Sequence, residues 1–272
     1  MYRSGTSRTI LAIAAVGALA LSVSAAGDPW ADAVVSYDPG GEAGSPYTDP
    51  ATVLGPPERY TGEGAYPAAV TPFNGPWGTD EIVTIGAGGH LVVEFAEPIT
   101  DDPTHRYGVD FLIFANGMFA DGDWPNGVVG GLFEEGPFTV SVSNDNVNWV
   151  TLATDVYDAL FPTLGYLDLA GPYDTQPGTV PSDFTRPVDP SLTYADFAGK
   201  TFAEIVALYD GSGGGIPFDI STTGLSEVRY VRIDVPVGAT SPEIDAFAAV
   251  PEPGAAVLLG CLALGHALRR GR

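Results

Sequence analysis

The chain carries 35 glycines and 24 prolines, and between residues 27 and 250 they cut its apolar residues into short segments. Proline removes a backbone donor and fixes φ, while glycine opens turns closed to other residues. Long helices cannot survive such punctuation, but short strands at the spacing of a sandwich can. The body is therefore expected to be all-β, an antiparallel sandwich. Val109–Phe114 is a near-continuous apolar run, as in a strand buried on both faces. Phe138–Ser143 and Trp149–Ala153 flank Asn144-Asp145-Asn146, residues that tolerate the left-handed conformation of a tight hairpin turn. Ile82–Ile85 and Leu91–Phe95 read as a second hairpin across Gly86-Ala87-Gly88-Gly89. Val228–Val235 alternates, setting Val228 and Tyr230 opposite Arg229, Val231 and Ile233, and Ile244–Val250 reads as a central final strand. One short helix interrupts the pattern: Thr201 and Glu204 have capping-box spacing ahead of Ile205, Val206, Leu208 and Tyr209. Residues 165–196, rich in Pro, Asp and Thr, read as an ordered surface loop or insertion.

The two ends do not belong to this body. Residues 1–26 place Arg3 and Arg8 before an apolar Ile10–Leu21 core and the small residues Ser24, Ala25 and Ala26. That order predicts a signal helix cleaved near Ala25 or Ala26. Residues 251–272 open with Pro251, Glu252 and Pro253, continue through apolar Gly254–Leu268, and close on Arg269, Arg270 and Arg272. The hydrophobic helix expected there is about 15 residues long, short of the roughly 20 that span a bilayer comfortably. Arginines at its end would hold that end on the cytoplasmic side. The turn, the run and the Arg cluster together resemble the PEP-CTERM sorting signal of Gram-negative bacteria; His266 and Cys261 depart from it mildly. The resemblance implies an exosortase-type sorting protease as partner and a transient inner-membrane association through the tail. It also implies final residence at the cell surface or in an extracellular polysaccharide matrix.

Charge narrows the partners of the 27–250 domain. Five of the 11 basic residues and one of the 34 acids lie in the ends, leaving 6 and 33, a net of −27. Such a surface repels nucleic acid and anionic lipid and attracts cations, so no nucleic-acid role is expected. The single cysteine, Cys261, sits in the tail, so the body must hold together by packing, with or without bound metal.

Catalytic signals are thin. The body has two histidines, His90 and His105, both expected in exposed turns, and it has neither a G-x-S-x-G elbow nor a cysteine. Carboxylates are plentiful enough for glycoside hydrolysis, but they concentrate in turns, where a carboxylate usually caps its own backbone. The body is read as non-catalytic.

The body also resembles a galactose-binding/discoidin-like jelly roll. The residues that carry this are Asp49-Pro-Ala-Thr-Val-Leu-Gly-Pro56, Gly108-Val-Asp-Phe-Leu-Ile-Phe-Ala-Asn116, Val228-Arg-Tyr-Val-Arg-Ile-Asp234 and Glu243-Ile-Asp-Ala-Phe247. The second of these has Ala115 where that group commonly has Glu. The resemblance implies a jelly-roll sandwich with a structural calcium near the N-terminal loop and the last strand, involving Asp49 with Glu243 or Asp245. A second calcium candidate is the oxygen-rich loop of Asp121, Asp123 and Asn126, which lacks full EF-hand spacing. For carbohydrate, exposed aromatics beside carboxylates and amides are the expected signature, and Trp77, Phe119 and Trp124 lie in apparent loops. Trp124 with Asn126 is the leading ligand-binding pair, and Trp149 is expected in the core. The resulting expectation is an exported structural or adhesive protein, with a calcium-dependent carbohydrate-binding module as the rival and a glycan hydrolase behind both.

Overall fold

A computed structural model describes residues 27–41, 46–62 and 65–251. The signal-like segment and the tail residues Glu252, Pro253, Arg269 and Arg270 lie outside the described residues; Pro251 is the last inside them. The strands are β1 (Ala33–Asp38), β2 (Tyr60–Thr61), β3 (Ala68–Ala69), β4 (Val83–Thr84), β5 (His90–Thr100), β6 (Phe111–Ala115), β7 (Met118–Asp121), β8 (Val129–Phe133), β9 (Phe138–Ser143) and β10 (Val150–Val156). Helices α1 (Tyr194–Phe197) and α2 (Phe202–Tyr209) follow, then β11 (Ile216–Phe218), β12 (Glu227–Asp234) and β13 (Glu243–Ala249). No helix among the described residues is long and apolar enough to cross a membrane.

Two antiparallel sheets make the sandwich. One has the order β1-β5-β12-β9-β10 and the other β11-β6-β13-β4. Leu91, Val93, Val140, Val231 and Ile233 from the first meet Phe111, Ile113, Ile244 and Phe247 from the second, all essentially free of solvent. Phe111 stacks on Phe218 with centroids 4.9 Å apart. The all-β fold expected from the punctuation is the fold found.

Strand β6 is buried on both faces for a specific reason. Its outward residues Leu112 and Phe114 join Ala246, Ala248, Phe184 and Val250 in a second apolar cluster. Phe184, with its centroid 5.3 Å from Phe114, comes from the segment expected to be surface loop. That expectation needs correcting, because Ser182, Phe184 and Val188 are buried. The segment is a cover: its carbonyls and N–H groups bond among themselves and to Gly211 and Gly213 while its aromatics seal the outer sheet. A third cluster gathers Phe73, Phe119, Phe161, Phe197, Phe202 and Tyr209 around α2. Phe119 is therefore core on β7, not a loop aromatic. Trp149, expected in the core, is only half-buried, with the Arg232 guanidinium 5.9 Å from its ring centroid.

The expected β9–β10 hairpin forms, with Asn146 left-handed at φ 57° in its turn. The expected hairpin of Ile82–Ile85 with Leu91–Phe95 does not. β4 pairs with β13 in one sheet, and β5 pairs with β1 and β12 in the other. The glycines between them cross from sheet to sheet, and Gly86 N–H and Gly88 N–H donate to Pro39 and Val235 rather than to each other's strand. The alternation of β12 is broken by a register shift between Val228 and Tyr230, so Val228, Val231 and Ile233 share the inner face.

Helix α2 is capped as expected. Glu204 Oε2 accepts from Thr201 N–H at 2.9 Å, and the Thr201 side chain accepts from Glu204 N–H at 3.4 Å. Thr201→Ala removes one half of that exchange and is expected to lower stability by about 1 kcal/mol, read as a lower melting temperature with an unchanged circular dichroism spectrum.

Candidate functional site

A cleft of about 460 Å³ has both aromatic and acidic walls. It is lined by Tyr47, Glu58, Trp77, Asp80 and Glu81, with backbone from Gly62, Gly78 and Thr79. Glu81 builds it. Its buried carboxylate accepts from Trp77 N–H at 2.9 Å, Gly78 N–H at 2.7 Å, Gly62 N–H at 3.3 Å and the Thr61 hydroxyl. Those donors clamp the turn 77–81 shut and fix where the indole stands. Tyr47 Oη donates to Trp77 O at 3.0 Å and closes the other side. Gly62 has φ +74°, and a Cβ there would lie 2.5 Å from Trp77 Cζ2. Only glycine lets the indole lie this close to the backbone. Trp77 remains 36% exposed and Asp80 stands at the exposed rim.

Asp245 backs the cleft. The register of β13 against β6 shifts between Ile244 and Ala246, leaving Asp245 as the extra residue of a bulge. Its buried carboxylate accepts from Glu58 N–H at 3.1 and 3.3 Å. Burial pushes it well above the usual carboxylate range, and the charges of Glu58 and Glu81 add to that.

The other residues expected to hold ligands are placed as follows. Asp49 caps the 3-10 turn Pro50–Val53, accepting from Ala51 N–H at 3.0 Å. Glu243 begins β13 and accepts from Asn116 Nδ2 at 2.6 Å; burial raises its pKa, with Glu135 adding to it. Asp121 ends β7 and accepts from Asp123, Gly127 and Val128 N–H and from Tyr173 Oη. Asp123 accepts from Asn126 Nδ2 at 3.1 Å. Trp124, 75% exposed, stands on that loop, and Asn126 borders an apolar groove of about 290 Å³ with Leu167, Leu169 and Phe202.

A calcium ion needs six to eight oxygens that face it rather than N–H donors. Both oxygens of Asp121 and of Asp245 accept from donors, as do Asp49 Oδ1 and Glu243 Oε2. Among the described residues, the group of three carboxylates whose oxygens lie within 4.8 Å of one another is Asp101, Asp110 and Asp219. Asp110 within it is already engaged, with Oδ1 at His105 Nδ1 (2.8 Å) and Oδ2 accepting from Ile220 N–H (2.8 Å). His105, expected in an exposed turn, is buried by this contact. His90 is half-buried at the start of β5, with Nε2 3.2 Å from Ser36 Oγ.

Sequence reading singled out Trp77 among the loop aromatics but missed Tyr47, Glu58, Asp80 and Glu81. The available signal was local: Gly75-Pro-Trp-Gly78 followed by Glu81, a turn with an acid placed to cap it.

No family model matches the chain, and no curated protein matches it. Among solved structures, it is similar to a pectin-binding carbohydrate-binding module at 11% identity and a TM-score of 0.30, over 81% of this chain and 92% of that one. A likeness that loose leaves the pectin-binding of that module a property of that module.

Proposed function

We propose that the chain is an exported surface protein with a non-catalytic, carbohydrate-binding body whose site is the Trp77 cleft. The observation that carries the binding half is the pairing of a partly exposed indole, fixed by Glu81, with the acidic rim of Glu58 and Asp80. A sugar offers a C–H face to an aromatic ring and hydroxyl donors to carboxylates, and this cleft supplies both partners within one concavity.

What supports the export half is sequence: the signal-like residues 1–26 in front and Pro251, Glu252, Pro253, Arg269 and Arg270 behind. On this reading an exosortase-type protease handles the tail at the inner membrane of a Gram-negative bacterium. The body is then displayed at the surface or held in an exopolysaccharide matrix, where it serves a structural or adhesive role. The geometry suits tethering. Ala249 N–H donates to Pro29 O at 2.7 Å, so both ends of the body leave together at the far end of β13. Asp245 and the cleft lie four residues back along that strand, roughly 13 Å away.

Calorimetric titration of residues 27–250 with a panel of soluble oligosaccharides tests the binding half. Trp77→Ala is expected to weaken the best ligand about thirtyfold, equivalent to about 2 kcal/mol for a buried aromatic anchor. An unchanged affinity in Trp77→Ala removes the cleft as the site. The calcium-dependent version of the reading requires that a chelator abolish binding, and product release from any oligosaccharide would instead return the hydrolase.

A further inference from the structure

A second cleft, also of about 460 Å³, opens beside the Trp77 cleft, and Glu58 and Asp80 line both. The far wall of this second cleft is built from Thr52, Leu54, Pro56, Pro57 and Tyr60. Local bonding fixes that wall. Asp49 caps the 3-10 turn Pro50–Val53, Leu54 N–H donates to Ala51 O at 3.2 Å, and Val53 is buried in the sandwich core. Pro56 and Pro57 hold the next two positions to a narrow range of φ. Tyr60 Oη donates to Thr175 O at 2.6 Å, which pins its ring to the cover segment.

We propose that the two clefts are lobes of one groove that takes an extended stretch of a glycan chain lying across the Glu58–Asp80 wall; this rests on the carbohydrate-binding reading above. Each lobe falls within the roughly 300–1,000 Å³ of a complete small-ligand site, so one sugar in the Trp77 lobe leaves the second lobe unused. A chain that continues past Asp80 meets apolar carbons of Leu54 and Pro56 there, against which further C–H faces can pack. Glu58 and Asp80, common to both lobes, accept from the hydroxyls in between. Sugars joined in one chain add affinity because the entropy of association is lost only once. Ala51, Leu54 and Pro56 on one rim and Trp77 and Asp80 on the other are exposed, so a long chain can settle in from the side.

The test is calorimetric titration of the full chain, in a detergent without a sugar head group, with disaccharides, tetrasaccharides and hexasaccharides of the cello, manno and galacturono series. In a series that binds, affinity is expected to climb about a hundredfold from disaccharide to hexasaccharide, well beyond the few-fold that extra registers on a longer chain supply. Leu54→Ala combined with Pro56→Ala trims only exposed side chains of the second lobe. It should cut the climb back to the register gain and leave disaccharide affinity unchanged, whereas Trp77→Ala should weaken every length. Affinity that does not grow with length, yet still falls in Trp77→Ala, would overturn the groove and leave a one-lobe carbohydrate site standing. A climb that survives the double substitution would also overturn it, since the added sugars would then be held elsewhere. So would a climb that Trp77→Ala leaves intact. Failure of every series at every length removes the carbohydrate reading itself.

Discussion

Asp158→Asn is expected to make the protein more stable above neutral pH and to leave it nearly unchanged in acid. Asp158 is 2% exposed, and one of its oxygens, Oδ2, has no hydrogen-bond partner. Its Oδ1 accepts from Glu135 N–H at 2.7 Å. Burial is the main cause that raises its pKa to about 7, and the charges of Glu243 and Glu135 push the same way against backbone hydrogen bonds from Glu135 and from its own amide. A carboxyl whose pKa is higher folded than unfolded holds its proton more tightly in the fold. Its contribution is therefore complete below the unfolded value of about 4 and is lost as pH rises through 7. Some three units of difference correspond to about 4 kcal/mol lost by pH 8, at 1.36 kcal/mol per unit. Asparagine has the same shape, still accepts from Glu135 N–H and never ionises. Melting temperatures of the two proteins should coincide near pH 4 and separate steadily towards pH 8, with the variant higher. Parallel curves across that range would mean that Asp158 does not titrate in the fold. A shallower slope should remain in the variant, because burial also raises Glu243 and Asp245.

What could be read from the sequence divides by the range of the interaction involved. The β9–β10 hairpin and the α2 capping box are set by residues within a few positions of each other, and both form as read. The apolar run of β6 announced burial on both faces, but not what supplies the second cover. That cover is Phe184, some seventy residues on, inside a stretch whose prolines and aspartates look like surface. Composition averages over the segment, whereas burial depends on one aromatic and the path that delivers it. The same limit applies to Gly86–Gly89, where a glycine turn between two apolar runs fits a hairpin and a sheet-to-sheet crossing equally well. Whichever partner is available decides, and for β4 that is β13. His105 looked exposed because its neighbours are polar, yet Asp110 pulls the imidazole inside. In the cleft, Trp77 was legible as a loop aromatic. Asp245 could not be placed there, since a bulge in β13 and not a sequence pattern brings it against Glu58.

Arg59 carries the second large effect, because it joins the cleft to the cover over the outer sheet. Its half-buried guanidinium satisfies Gly165 O, Ser182 O and Ser182 Oγ at once while standing over the Phe184 ring, 3.9 Å from its centroid. Arg59→Met keeps the apolar stem and removes every donor. It leaves Ser182 O without this donor and strips one from Gly165 O, at a cost of about 3 kcal/mol for a broken buried charged group. Arg59→Lys is expected to recover little, since a point ammonium can neither fork between two carbonyls nor stack on an aromatic ring. The loss should concentrate in the cover and spare the sandwich. The amide of Ser182, which donates to Gly165 O, and that of Gly213, which donates to Asp183 O, should exchange faster. The amides of β5 and β12 should change no more than global stability does. Uniform acceleration at all these amides would show that the cover and the sandwich unfold as one unit. Because Arg59 follows Glu58 directly, a cover loosened in this way should also weaken the sugar binding proposed for the Trp77 cleft, although Arg59 itself lines none of it.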